Sequence, residues 1–191
     1  MQRLNSVDLQ SATGRTQELL ESVKGVFGTI PNSAQVMANS PAVLSSFLAF
    51  STAMADTKID AKLQNQLKLI TSEKNECDYC SSLLVAVAPA MGLSSADVLA
   101  GRSGHSEDTR TKAALAFAHD VLENRGKVSD ARLAAVREAG FSDAEIVEMV
   151  ASVVLGCFTN FLNNVADTEL DIPAAEPLAP AASCGTDTCS H

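Results

Sequence analysis

Cys77 and Cys80 stand three residues apart in the run Glu76-Cys77-Asp78-Tyr79-Cys80, with the only tyrosine of the chain between them. Two thiols one helical turn apart close a disulfide with little backbone movement and reopen it, so the pair can carry two electrons. A thiol in the first turn of a helix meets unpaired backbone N–H groups and the positive end of the helix dipole, and both favour the reactive thiolate. Three neighbouring carboxylates, Glu73, Glu76 and Asp78, oppose it. Such pairs also occur in zinc sites and as inert buried thiols. Structural zinc takes about four ligands, usually with a second C-x-x-C or a histidine pair. Apart from the terminal His191, the chain holds His105 and His119 only. Redox chemistry is therefore the leading reading, with no resident metal or other cofactor expected.

The elements that hold this pair must be helices. Among 191 residues, 46% are hydrophobic and only 4% aromatic, with no tryptophan, which suits close-packed Ala, Leu, Val and Ile helices in one domain. Apolar residues recur at helical spacing, and no run alternates as a strand does. The pattern predicts helices over 16–27, 31–38, 41–55, 61–74 and 79–91, and a short one opening at 94–97. Others follow over 107–125, 129–138 and 142 to about 167. Ser94 to Asp97 and Ser142 to Glu145 read as capping boxes. The domain therefore spans 1–172.

A net charge of -9 argues against nucleic acid, which needs clustered Lys and Arg. The opening residues Met1 to Ser6 have no apolar core of a signal peptide. The longest apolar stretch, from Leu83 to Leu93, contains Pro89 and is too short for a membrane span of roughly 20 residues. A cytoplasmic protein with no membrane or nucleic-acid partner is expected.

Several runs carry a resemblance to a known family. Asp60-Ala61-Lys62-Leu63-Gln64-Asn65-Gln66-Leu67, then Glu73 through Cys80, then Gly92-Leu93-Ser94, resemble the alkylhydroperoxidase D (AhpD)-like branch of the carboxymuconolactone decarboxylase family. Thr29-Ile30-Pro31-Asn32 and Met37-Ala38-Asn39-Ser40-Pro41 resemble its peroxidase-related members. So do the run from Gly140 to Glu148 and Phe158-Thr159-Asn160-Phe161. The resemblance covers roughly residues 3 to 173. It implies an all-α AhpD-like fold, a homo-oligomer (trimer or hexamer), and an antioxidant thiol peroxidase or disulfide oxidoreductase. Its partners would be a hydroperoxide substrate and a dithiol reductant protein. By the resemblance Cys80 would be the peroxidatic thiol and Cys77 the resolving one.

The same resemblance marks departures. Active members carry a Glu where this chain has Asn65, a His where it has Leu84, and many a second His where it has Asn164. Asn takes no proton at neutral pH and Leu has no polar side-chain atom, so the usual proton relay is missing. Glu73 is the nearest substitute: it would share a face with Cys77 if one helix ran through both. Its plainer reading is a capping or solvated carboxylate. His119, beside Asp120, reads as a surface or interface residue. Without its relay, the chain could instead be a degenerate redox sensor or binding protein on the same fold. Decarboxylation ranks below both, since no catalytic base is evident.

Cys157 lies in an apolar run and reads as a core thiol. After Pro173 the chain turns to Pro and Ala and ends with Cys184, Cys189 and His191. A flexible tail over 173–191 is expected, with incidental thiols, a mobile dithiol that recycles the core pair, or a soft-metal clip as its readings.

Overall fold

A computed structural model describes residues 1–178, and among these all regular structure is helical. Helix α1 (Gly14–Phe27), α2 (Asn32–Met37) and α3 (Pro41–Ala53) form an N-terminal layer. Helix α4 (Ala61–Lys74) follows, then α5 (Asp78–Val87), α6 (Ser95–Ser103), α7 (Thr109–Glu123), α8 (Asp130–Glu138) and the long α9 (Asp143–Ala166). Short 3₁₀ turns extend α3 over Met54–Asp56 and α5 over Ala88–Met91. They account for the predicted helix ends at 55 and 91.

The boundaries follow local chemistry. Asp60 accepts from Leu63 N–H at 2.8 Å and starts α4. Both capping boxes form, with Ser94 and Asp97 opening α6 and Ser142 and Glu145 opening α9. Each cap is worth about 1 kcal/mol.

Helix α4 is the axis of the fold and packs against α5, α6, α7 and α9. Leu67 and Leu69 are wholly buried, and the polar Asn65, Thr71 and Ser72 are buried with them. Such tight approach needs small partners. A Cβ on Gly156 of α9 would stand 3.0 Å from Thr71 Cγ2, and one on Gly101 of α6 would stand 3.0 Å from the Gln66 backbone. The main core joins Leu67 and Ile70 to Leu115 and Phe117 of α7, Val136 of α8, and Met149 and Val153 of α9. A second cluster, Leu19, Leu20, Val23, Met37, Leu44 and Leu48, holds α1, α2 and α3 together.

Two expectations change. The longest apolar segment, and among the described residues the helix of membrane-spanning length and composition, is α9 rather than the stretch from Leu83 to Leu93, which is too short as expected. Length and composition alone suggest a span; Ile146, Met149 and Val153 on one face of α9 lie in the core. The Pro/Ala stretch is laid on the body over 173–178, where its backbone finds partners. Ala175 N–H donates to Ser82 Oγ at 2.9 Å, and Arg102 Nη1 donates to the Glu176 carbonyl at 2.6 Å. Cys184, Cys189 and His191, with their three readings, lie outside the described residues.

Candidate redox site

Helix α4 stops at Lys74 because the chain turns through Glu76, which takes the left-handed conformation at φ 51°. Cys77 N–H then donates back to the Ser72 carbonyl at 2.9 Å, and Cys77 becomes the N-cap of α5. Its sulfur accepts from Cys80 N–H at 3.3 Å. The expected placement at the first turn therefore holds for both cysteines. They are joined as a disulfide, with Cα atoms 5.3 Å apart, and both are buried.

Three asparagines of α9 clamp this turn. Asn160 Oδ1 accepts from Asn75 Nδ2 at 2.9 Å, and Asn160 Nδ2 donates to Ser72 Oγ at 3.0 Å. Asn164 Nδ2 donates to the Asn75 carbonyl at 2.7 Å. Asn163 Nδ2 donates to Cys80 Sγ at 3.3 Å, while its Oδ1 accepts from the Thr168 hydroxyl. Spaced i, i+3 and i+4, they share one face of the helix. Asn164 thus holds the backbone that carries the cysteines. Asn65 also serves structure: its Nδ2 donates to the Leu84 carbonyl at 3.3 Å, and its Oδ1 has no partner among the described residues.

Glu73 does not reach the thiols. The helix break denies it the shared face with Cys77, and it pairs instead with Arg102 Nε. With His105 and His119 it lines a separate groove of about 520 Å³. The other two acidic neighbours, Glu76 and Asp78, are exposed, so water screens them. The carboxylates that oppose a thiolate in sequence are thus paired or solvated in space. Cys157 is half-buried, accepts weakly from Asn75 Nδ2 at 3.5 Å and opens onto yet another groove. Among the described residues no three His, Cys, Asp or Glu side chains converge as metal ligands.

A small cavity of about 120 Å³ reaches Cys80. Its walls come from Ser33, from Phe47 and Ser51 of α3, from Lys68 and Ser72 of α4, from Leu83 and Leu84 of α5, and from Leu155, Gly156, Thr159 and Asn163 of α9. Cys77 is not among the lining residues. Burial holds the Lys68 ammonium below the ordinary lysine range. Lys68 and Asn163 were legible only as spacing: Lys68 shares a face of α4 with Asn65 and Ser72, and the asparagines interrupt an apolar helix.

Tyr79, between the cysteines, is not among the residues that line this cavity. Its hydroxyl donates to Asp171 Oδ1 at 2.8 Å and accepts from Ser33 N–H at 3.2 Å. Burial first, and the Asp171 carboxylate after it, push the phenol up to about 12. An acid held protonated by the fold adds stability that is complete below about pH 10 and lost as pH rises through the folded value. Phenolate absorbance of this lone tyrosine should therefore rise with a midpoint near pH 12. A midpoint at the free-tyrosine value would contradict this environment.

No protein-family model and no curated protein matches the sequence. Solved structures do match. An uncharacterized peroxidase-related protein from Ralstonia eutropha JMP134, described as an alkylhydroperoxidase AhpD core, is similar with a TM-score of 0.80 and 20% identity, over 89% of this chain and 92% of that one. A Cys-to-Ala variant of the debrominase Bmp8, in complex with 2,3,4-tribromopyrrole, matches with a TM-score of 0.76 and 19% identity, over 90% and 93%. An uncharacterized peroxidase-related protein from Silicibacter sp. TM1040 matches with a TM-score of 0.72 and 19% identity, over 88% and 94%. Likeness at such low identity is a likeness of fold, and this chain has the all-helical AhpD-core fold.

Proposed function

We propose that the protein is a thiol-dependent peroxidase, an oxidoreductase that reduces small hydroperoxides through Cys77 and Cys80. The observation that carries this reading is the cavity: Cys80 forms part of its wall, and the disulfide partner Cys77 does not. In the reduced state the Cys80 thiolate attacks the distal oxygen of the hydroperoxide. The O–O bond breaks, the alkoxide takes a proton and leaves as an alcohol, and Cys80 becomes a sulfenic acid. The Cys77 thiol displaces water from it and closes the disulfide. An external dithiol then returns two electrons and two protons. At about 120 Å³, well below an ordinary ligand pocket, the cavity suits the reacting end of a small hydroperoxide. A cytoplasmic setting agrees with this cycle, because the cytosol keeps dithiol reductants available.

The test is single-turnover oxidation of the reduced protein by an alkyl hydroperoxide, with thiols counted and the new disulfide mapped by mass. Saturable formation of Cys77–Cys80 supports the reading. Oxidation no faster than that of a free small thiol would leave a disulfide relay or a redox sensor. A brominated pyrrole serves as a parallel oxidant, because the debrominase with this fold binds one.

We also propose self-association through the outer face of α9. Val147, Val154, Phe158, Phe161 and Val165 are all exposed there, at spacings that form one stripe. An apolar stripe of this length on a helix already anchored in the core fits a second copy of the chain. Val154→Glu combined with Phe161→Glu is expected to reduce the sedimenting mass to that of a smaller assembly. An unchanged mass, or a wild type that sediments as a monomer, would remove the proposal.

A further inference from the structure

We propose that Lys68 is the proton-transfer group for Cys80, taking the place of a carboxylate or imidazole relay. The assignment rests on the peroxidase reading for its second half and on the lining of the cavity for its first. Lys68 and Cys80 line the same small cavity. Neither α2, α3 nor α9 sends an ionisable side chain into it, and α5 sends only Cys80. Lys68 and Cys80 are thus the two titratable side chains that line it. Lys68 is half-buried, and among the described residues its ammonium has no ion pair and no hydrogen-bond acceptor.

A half-buried lysine with no counter-charge among the described residues has a chemical outlet at this site. Partial burial favours its neutral amine, and a neutral amine can take the proton of a thiol on the wall of the same cavity. The product is an ammonium beside a thiolate, each the counter-ion of the other. When the thiolate attacks a hydroperoxide, the ammonium returns that proton to the departing alkoxide. The sum is ROOH + Cys80–SH → ROH + Cys80–SOH, with lysine regenerated as the amine. Asn163, which donates to the Cys80 sulfur, holds the thiolate in place but supplies no transferable proton.

The test separates the two halves. Alkylation of Cys80 by iodoacetamide, read by peptide mass on the reduced full chain, reports the thiolate without any peroxide. Lys68→Met is expected to slow it about tenfold at pH 7 and to match wild type by about pH 10, the signature of a lost counter-charge. Lys68→Arg keeps a charge but has no proton to give in this range, so it should restore alkylation and leave peroxide reduction slow. A Lys68→Met protein with the wild-type alkylation profile overturns the assignment. Lys68→Gln carries the same comparison if the methionine variant does not fold. A shifted profile in a protein that hydroperoxides do not oxidise would keep Lys68 as the activating group and discard the peroxidase reading instead.

Discussion

Cys80→Ser should reduce peroxide-driven thiol loss at the Cys77/Cys80 pair to the background of an unactivated thiol. The expected drop is about 100-fold or more, the lower end of what positioned proton transfer contributes. Cys77→Ser should behave differently. Cys80 keeps its place in the cavity wall, so the first turnover survives, but no thiol stands one turn away to displace water. The oxidised state should stop at a sulfenic acid that a dimedone-type reagent labels, and no internal disulfide should form. The asymmetry follows from placement: the cavity reaches one sulfur, and the other serves as N-cap behind it. Equal losses in both variants, or a trapped sulfenic acid on Cys77, would reverse the assignment of the attacking thiol.

Asn160→Leu is expected to be the most damaging change that leaves both cysteines in place. Asn160 is wholly buried, and its amide ties Ser72 at the end of α4 to Asn75 in the turn. Leucine fills similar space but strands the Asn75 amide and one side of Ser72 Oγ. Unmet buried polar groups cost about 1–3 kcal/mol each. The Cys157 sulfur near Asn75 offers some compensation, so a net loss of about 2 kcal/mol is expected. For a chain of this size that lowers Tm by about 4–8 °C. Urea unfolding of the oxidised protein measures it. Because the same turn carries Cys77, closure of the disulfide after Cys80 oxidation should slow as well. A variant within about 0.5 kcal/mol of wild type would mean that the clamp is dispensable.

These expectations rest on different levels of information. Helix positions were legible because their signals are local: Asp60 and the two Ser-x-x-acid boxes start helices through contacts three residues apart, and Gly28 and Gly92 end segments by adopting positive φ. The placement of both cysteines at a helix start was equally local, since α4 must break before Cys77. The features that chain order hid are non-local. Glu73 stood near the thiols along the chain, but the break swings it onto Arg102, 29 residues away. The apolar run at 83–93 stood as the longest in the chain, whereas α9 is the longer apolar helix and carries one face in the core.

The sequence by itself determined the cysteine pair, its helical setting and the absence of the expected Glu and His relay residues at positions 65, 84 and 164. Identity and short-range spacing suffice for those. Only the tertiary structure decided what surrounds the sulfur. Helix α9 lies against α4 because Gly156 lets Thr71 approach, and that contact brings Asn160, Asn163 and Asn164 onto a turn more than 80 residues earlier in the chain. The same crossing closes a cavity that both Lys68 and Cys80 line. Burial and proximity of this kind are properties of packed helices, and they alone turn an ordinary-looking lysine into a group that can move a proton.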